Sequence, residues 1–368
     1  MLLLDRKRPG LQQPARTLAA SVVRFAAAAT WRALHPAVRG KFLESLPPPP
    51  LRRLYYEADD GWRSVVFHLP PAPGGAGEPV VLSHGLGMAG DVFRYGNGPT
   101  LAQSLAAAGF SVYLLCHRGD RESLVRGAFS FDDIVERDLP AALQRVCEDA
   151  GFPRVHWLGH GFGGQLGLAW AGYGGGDRLA TMTSLCAPVR FTRPSSQMMR
   201  WSLVSRMIPA HWCFPARIVS RMLTPIGGYG EMMTCGASPP ARVRGVMEYA
   251  SSDVPAGLVG QMMQWLEGGS MTSLTGLDYV EALTKVRLPL LVLFGDADRV
   301  CPVGSGDVAA AHWGGVDKEV IRLEGGYGHL DVLLGNDAPK EVFAPVIRWL
   351  EQRRRLAWAR DGELMAVN

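Results

Sequence analysis

The ten residues from Val155 to Gly164 read VHWLGHGFGG, an apolar run that passes through glycines into a second apolar segment. This pattern predicts a buried strand, a tight turn and a helix. Gly159 and Gly163 lie two residues either side of Gly161, where small residues let strand, turn and helix approach closely. Gly161 itself has no side chain, so the middle of the turn offers no hydroxyl or thiol that could attack a carbonyl.

A glycine-rich turn between a strand and a helix is also found at phosphate-binding sites. This turn lacks the Lys-Ser/Thr pair of a P-loop, and it fits GxGxxG only if Gly159, Gly161 and Gly164 are the three glycines. A dinucleotide-binding loop is therefore the weaker interpretation.

Three more motifs follow predicted strands. LLVLFG at Leu290–Gly295 is followed by Asp296 and Asp298, and a glycine-rich stretch leads into His329. Upstream, VVLS at Val80–Ser83 runs into a His-Gly pair. Because the carboxyl ends of parallel strands meet at one edge of a sheet, we expect these motifs to converge there.

Together the motifs resemble the α/β-hydrolase superfamily of the lipase and esterase type, in which nucleophile, acid and histidine follow in that chain order. The segments Phe129–Asp133 and Gly335–Pro339 are similar to the acid lipase branch. The resemblance puts Gly161 in the nucleophile position, which is left empty. It puts Asp298 in the acid position, with Asp296 as the alternative, and His329 in the position of the base.

The same resemblance implies an oxyanion hole made by the backbone N–H groups of Leu86 and Phe162, since main-chain donors survive any change of side chain. Gly159, His160 and Gly163 would complete the nucleophile elbow.

No cofactor is expected. The six cysteines show neither a CxxC pair nor a metal-type spacing with histidine, and they are expected to be free thiols in a reducing compartment.

The expected fold is α/β: a mostly parallel sheet flanked by helices, with a helical cap inserted. Residues 51–190 and 284–368 would form the core and residues 191–283 the cap. The predicted strands are Arg63–His68, Val80–Ser83, Ser111–Cys116, Val155–Leu158, Thr183–Cys186, Leu288–Phe294 and Glu319–Leu323. The predicted helices are Thr100–Ala108, Ile134–Ala150, Phe162–Tyr173 and Lys340–Trp358.

Ten of the 14 methionines fall in the predicted cap. Methionine suits surfaces that accept variable apolar shapes, and it also fills ordinary cores. Two interpretations therefore stay open for the cap, a pocket for a hydrophobic, lipid-like ligand and a plain helical core.

Residues 1–50 form a basic N-terminal segment that ends in a proline-rich linker. Residues 1–53 carry ten Lys or Arg and two acidic residues, within a chain whose net charge is only +4. Docking of this segment on the core is the default expectation, and peripheral contact with an anionic membrane is the alternative. The modest net charge gives no indication of nucleic-acid binding, and the expected location is the cytoplasm.

Three functions remain open from the sequence. The first is non-covalent catalysis by His329 and Asp298 on a hydrophobic carbonyl or ester-like substrate. The second is a catalytically inactive protein that binds a hydrophobic ligand or partner. The third is an ester or lipid hydrolase with an altered nucleophile.

Overall fold

The computed structural model describes residues 51–96, 98–120, 122–123, 127–191, 209, 211–218, 233–301 and 303–358. The predicted N-terminal segment lies outside the described residues, and so does part of the predicted cap. Five of the ten cap methionines also lie there: Met198, Met199, Met207, Met222 and Met232.

An eight-stranded sheet forms the centre of the described molecule, in the order β1-β2-β4-β3-β5-β6-β9-β10. The strand β2 pairs antiparallel with β1 and β4, and every other neighbouring pair is parallel. A two-stranded antiparallel sheet, β7 with β8, lies in the cap region. The strands are β1 Arg52–Glu57, β2 Arg63–Leu69, β3 Pro79–Ser83, β4 Ser111–Leu115, β5 Val155–His160, β6 Leu179–Leu185, β7 Cys213–Phe214, β8 Val254–Pro255, β9 Leu290–Gly295 and β10 Lys318–Leu323.

Ten α-helices are described around these strands. They are α1 Leu101–Ala107, α2 Phe131–Asp133, α3 Leu139–Ala150, α4 Phe162–Tyr173, α5 Pro240–Tyr249, α6 Ala256–Gly268, α7 Tyr279–Ala282, α8 Val303–His312, α9 Asp331–Leu334 and α10 Ala344–Glu351. Every residue of β3, β4, β5, β6 and β9 is buried. This burial on both faces is what helices on either side of a parallel sheet produce.

The predicted mostly parallel sheet with flanking helices is confirmed, but some predicted elements were wrong in detail. The first strand, Arg52–Glu57, was not predicted, because Arg52 and Arg53 extend the basic composition of the segment before them. Those arginines face solvent at the sheet edge, while Leu54 and Tyr56 point inward. The strand predicted to end at Cys186 begins at Leu179 and ends at Leu185.

Two predicted helices are interrupted for the same reason. The helix predicted over Ile134–Ala150 starts with a π-helical turn at Ile134–Asp138, and the one predicted over Lys340–Trp358 has a π-helical turn at Pro339–Phe343. Each turn directly precedes a helix with proline near its start. Proline has no N–H for the ordinary helical hydrogen bond, so the chain widens locally before it.

The described cap methionines favour the plain core interpretation for that part of the cap. Met247 and Met271 are buried in the main hydrophobic core, and Met233 and Met262 pack against it. In the part of the chain that the structure describes, no helix combines the length and the hydropathy needed to cross a membrane.

Asp132 joins the core to the predicted cap. Its buried carboxylate accepts hydrogen bonds from Gln261 Nε2 at 2.7 Å, the Leu274 amide at 2.6 Å and the Tyr279 hydroxyl at 2.9 Å. An Asp132→Ala variant would leave three donors without this acceptor, at about 1–3 kcal/mol each. We expect its free energy of unfolding in urea to fall by about 3 kcal/mol or more.

The control is Asp307→Ala, which removes a partly exposed carboxylate that pairs with the exposed Arg322 at 2.8 Å. Such a surface pair contributes about 0–1 kcal/mol. Equal losses in the two variants would contradict the structural role of Asp132.

Candidate active site

Gly161 lies between the end of β5 and the start of α4, with φ 53° and ψ −115°. L side chains rarely adopt this backbone conformation, and glycine does so without strain. A β-carbon built on Gly161 would lie 2.9 Å from His329 Nε2 and 3.8 Å from the Gly85 Cα. The empty position in the turn therefore faces the histidine that the sequence predicts as the base.

The glycines around Gly161 are required by close packing. A β-carbon on Gly159 would overlap the backbone of Gly163, and one on Gly163 would overlap the Ser83 carbonyl. Trp157 Nε1 also donates to the Gly163 carbonyl at 3.1 Å. The strand, turn and helix are thus held together as the sequence predicts for an elbow.

His329 and Asp298 form a buried pair. His329 Nδ1 lies 2.9 Å from Asp298 Oδ2, and both side chains are nearly inaccessible to solvent. Burial opposes ionisation of Asp298, but the hydrogen bond from His329 and those from the Cys301 and Val300 amides outweigh it and hold the pKa of Asp298 below its ordinary value. In the tautomer whose Nδ1–H donates to this carboxylate, Nε2 carries the lone pair and lies toward Gly161.

Asp296, the alternative acid, makes different contacts. Its carboxylate accepts hydrogen bonds from the amides of Gly325, Gly326 and Tyr327 at 2.9–3.2 Å. It therefore shapes the loop that carries His329, while the structure brings Asp298 to the imidazole itself.

His160 contacts the loop that carries His329. Its Nε2 lies 2.9 Å from the His329 carbonyl oxygen, which can only accept, so Nε2 carries the hydrogen. Burial, together with the charge of His329, lowers the pKa of His160 to about 3. The ring is therefore neutral near pH 7.

Leu86 and Phe162, whose amides are the predicted oxyanion donors, line one small cavity of about 20 Å³. Phe162 is the first residue of α4, where helical N–H groups have no partner within the helix. Gly85 precedes Leu86 and is also the residue whose Cα faces the empty position at Gly161. The structure therefore brings both predicted donors and the predicted proton-transfer pair to one region.

The loop that contains Leu86 is bound to residues of the predicted cap, a contact that the sequence did not predict. Ala89 N donates to the Ala250 carbonyl at 2.6 Å, and Ser252 N donates to the Gly87 carbonyl at 2.8 Å. Next to these two backbone hydrogen bonds, the Asp120 carboxylate accepts a hydrogen bond from Ser252 Oγ at 2.8 Å. Its other oxygen lies 3.2 Å from His84 Nε2. No local motif joins Asp120 to Ser252, because they are far apart in the chain.

Cys186 also contacts the site and was missed as a site residue. It directly follows β6 and has φ 53°, the one positive φ outside glycine among the described residues. Burial and the nearby Asp298 carboxylate raise the pKa of its thiol well above the ordinary value. The sequence indicated only a small residue at a strand end.

Comparisons with known proteins agree with this architecture. The model of the alpha/beta hydrolase fold family matches residues 78–212. The chain is 24% identical to human gastric triacylglycerol lipase, over 81% of this chain and 87% of that protein, and 23% identical to human lipase member K, over 80% and 86%. The solved structure of an esterase from Exiguobacterium antarcticum is similar over 82% of this chain and all of that one, with a TM-score of 0.60 and 17% identity.

Proposed function

We propose that this chain, which has the α/β-hydrolase fold, acts without a covalent intermediate on a hydrophobic carbonyl or ester-like substrate. His329 would accept and return a proton during the reaction. Asp298 would orient the His329 ring and stabilise its protonated form, and the amides of Leu86 and Phe162 would bind the oxyanion. The observation that carries the proposal is the Gly161 backbone. Its φ of 53° is one that L side chains rarely adopt, and the place of a β-carbon on it lies 2.9 Å from His329 Nε2, but glycine offers no attacking atom.

The reaction follows from these groups. His329 Nε2 removes a proton from a water molecule as its oxygen attacks the carbonyl carbon, and the Nδ1 hydrogen bond to Asp298 stabilises the imidazolium that forms. The carbonyl oxygen becomes an oxyanion bound by the two amides. When the intermediate collapses, the leaving alkoxide takes the proton back from His329. The products are an acid and an alcohol, with no acyl group attached to the protein.

A hydrophobic substrate is supported by the relatives, two of which are named as lipases. The fully buried side chains at the site, including His160, His329 and Asp298, support it as well. Water-excluding surroundings strengthen the hydrogen bonds that bind developing charge.

Binding without turnover is the second candidate function. It is favoured by the distance of 2.9 Å between His329 Nε2 and the position a β-carbon would take on Gly161. This distance is shorter than an ordinary van der Waals contact, so the ring fills part of the space that a nucleophile would use.

The proposal is tested by following hydrolysis of p-nitrophenyl esters of short and long chain length while measuring the intact mass of the protein. We expect steady product release with no initial burst and no acyl adduct, even when the reaction is quenched early. Diethyl esters of a p-nitrophenyl phosphate serve as the control for a hidden nucleophile, and we expect no stable adduct. An acyl or phosphoryl adduct that forms at the rate of turnover would contradict the non-covalent mechanism.

A further inference from the structure

Three side chains of the kinds that bind metal ions lie close together, and one of them is His329 of the predicted proton-transfer pair. His160 ends β5, Cys186 directly follows β6, and His329 lies on the loop between β10 and α9. One ring nitrogen of each histidine and the Cys186 Sγ lie within 4.8 Å of one another, and all three residues are buried. We propose that His160, Cys186 and His329 form a binding site for a divalent transition-metal ion, with Zn²⁺ as the ion that this ligand set suits best.

Both histidines already make the outer hydrogen bond that metal-binding histidines usually make. Such a histidine donates its second N–H to a backbone carbonyl or a carboxylate, which fixes the tautomer and the ring. His160 Nε2 has the His329 carbonyl at 2.9 Å, and His329 Nδ1 has Asp298 at 2.9 Å. The nitrogens that keep a lone pair are therefore His160 Nδ1 and His329 Nε2.

His160 Nδ1 is the nitrogen that would bind the metal ion. The residue is 1% exposed, and this nitrogen has no hydrogen-bond partner among the residues that the structure describes. A buried polar atom without a partner destabilises the folded state. A bound metal ion would use this lone pair. His329 Nε2 faces Gly161, where the missing side chain leaves its lone pair uncovered.

Cys186 supplies the third ligand from a rigid position. Its amide donates to the Leu293 carbonyl at 2.8 Å, and its φ of 53° is a left-handed conformation that strains a non-glycine residue. Strain of this kind is found mainly at functional sites. Without a metal ion, burial and Asp298 hold the pKa of this thiol well above its ordinary value, so the S–H proton would leave to solvent only as the Zn–S bond forms.

The cluster is wider than a zinc site. Tetrahedral bonds of about 2.0 Å to nitrogen and about 2.3 Å to sulfur put ligand atoms about 3.3–3.5 Å apart. The present spread of up to 4.8 Å therefore has to close by about 1.3–1.5 Å when the ion binds. Three protein ligands leave a fourth position open, as in catalytic zinc sites. Since the metal takes the His329 lone pair, Zn²⁺ should suppress any turnover in which His329 is the free base.

Co²⁺ is the probe for this site, because thiolate ligation gives it a near-ultraviolet charge-transfer band. The full-length protein is reduced, stripped with a chelator and titrated. We expect one equivalent of Co²⁺ to produce the band and one equivalent of Zn²⁺ to abolish it. Asp298→Asn weakens the outer hydrogen bond and should lower Co²⁺ affinity about 10–100-fold with the band retained.

The matched pair of variants is Cys186→Ser and Cys116→Ser. Both cysteines are buried and directly follow a strand, β6 and β4 respectively. The band should disappear in the first variant and persist in the second. Absence of the band in the natural chain, or its persistence in Cys186→Ser, would overturn the metal site. If Cys186→Ser does not fold, the result for the natural chain and the Asp298→Asn shift decide the question, and neither depends on hydrolysis of any substrate.

Discussion

A Gly161→Ser variant is expected to react covalently with a fluorophosphonate probe, whereas the natural chain forms no adduct at this position. The backbone at Gly161 has φ 53° and ψ −115° between a strand and a helix, and His329 Nε2 lies 2.9 Å from the place of the new β-carbon. The serine hydroxyl would therefore lie beside a ready base. Since loss of such a nucleophile lowers turnover by about 10⁶-fold in a complete triad, ester hydrolysis should rise by up to that factor.

The same substitution should destabilise the fold. A side chain at this positive φ is strained by about 1–3 kcal/mol, and the His329 ring must retreat by a few tenths of an ångström to make room. Gly161→Ala is the matched control, because it adds the β-carbon without the hydroxyl. Both variants should lose similar free energy of unfolding in urea, and only the serine should gain reactivity.

A well-folded Gly161→Ser variant that stays inert toward the probe would mean that His329, Asp298 and the two amides are not competent for acyl transfer. That result would favour the binding protein over the enzyme. Equal labelling of the serine and alanine variants would locate the reactive group elsewhere in the chain.

Replacing His329 by alanine is expected to lower turnover by about 10²–10⁴-fold, the usual contribution of a positioned acid or base. The loss should appear mainly in kcat, because His329 acts on the proton in the transition state. His156→Gln is the control, since His156 is also a buried imidazole and lies on β5, where its Nδ1 is 2.9 Å from Thr181 Oγ1.

If His329→Ala transforms the substrate at an unchanged rate, the proton-transfer role is wrong. If the natural chain shows no turnover and both variants bind a hydrophobic ligand equally well, the chain is a binding protein. Mass spectrometry of molecules that copurify with the protein would supply that ligand.

The sequence predicted the centre of the fold because the central strands are apolar throughout and end in glycine-rich turns. The strand before Gly161 and the strand before Asp298 are examples, and each was found with its turn in the expected place. The pairing of Asp298 with His329 followed from a resemblance and is what the geometry shows. Their catalytic roles stay predictions.

The parts that the sequence did not predict depend on contacts between distant segments. Cys186 approaches His160 because β6 and β5 are neighbours in the sheet, and its left-handed backbone has no local sequence pattern. The contact of Asp120 with Ser252 likewise depends on how the cap folds back. Spacing along the chain therefore gave no indication of either cluster.

The backbone bridge between residues 87–89 and 250–252 sets a limit on protein engineering. If the predicted cap, residues 191–283, were deleted or exchanged for a segment of another protein, Gly87 and Ala89 beside Leu86 would lose these main-chain partners. Chimeras that graft new substrate preferences onto this scaffold should therefore retain Ala250, Ser251 and Ser252 and cross over outside them.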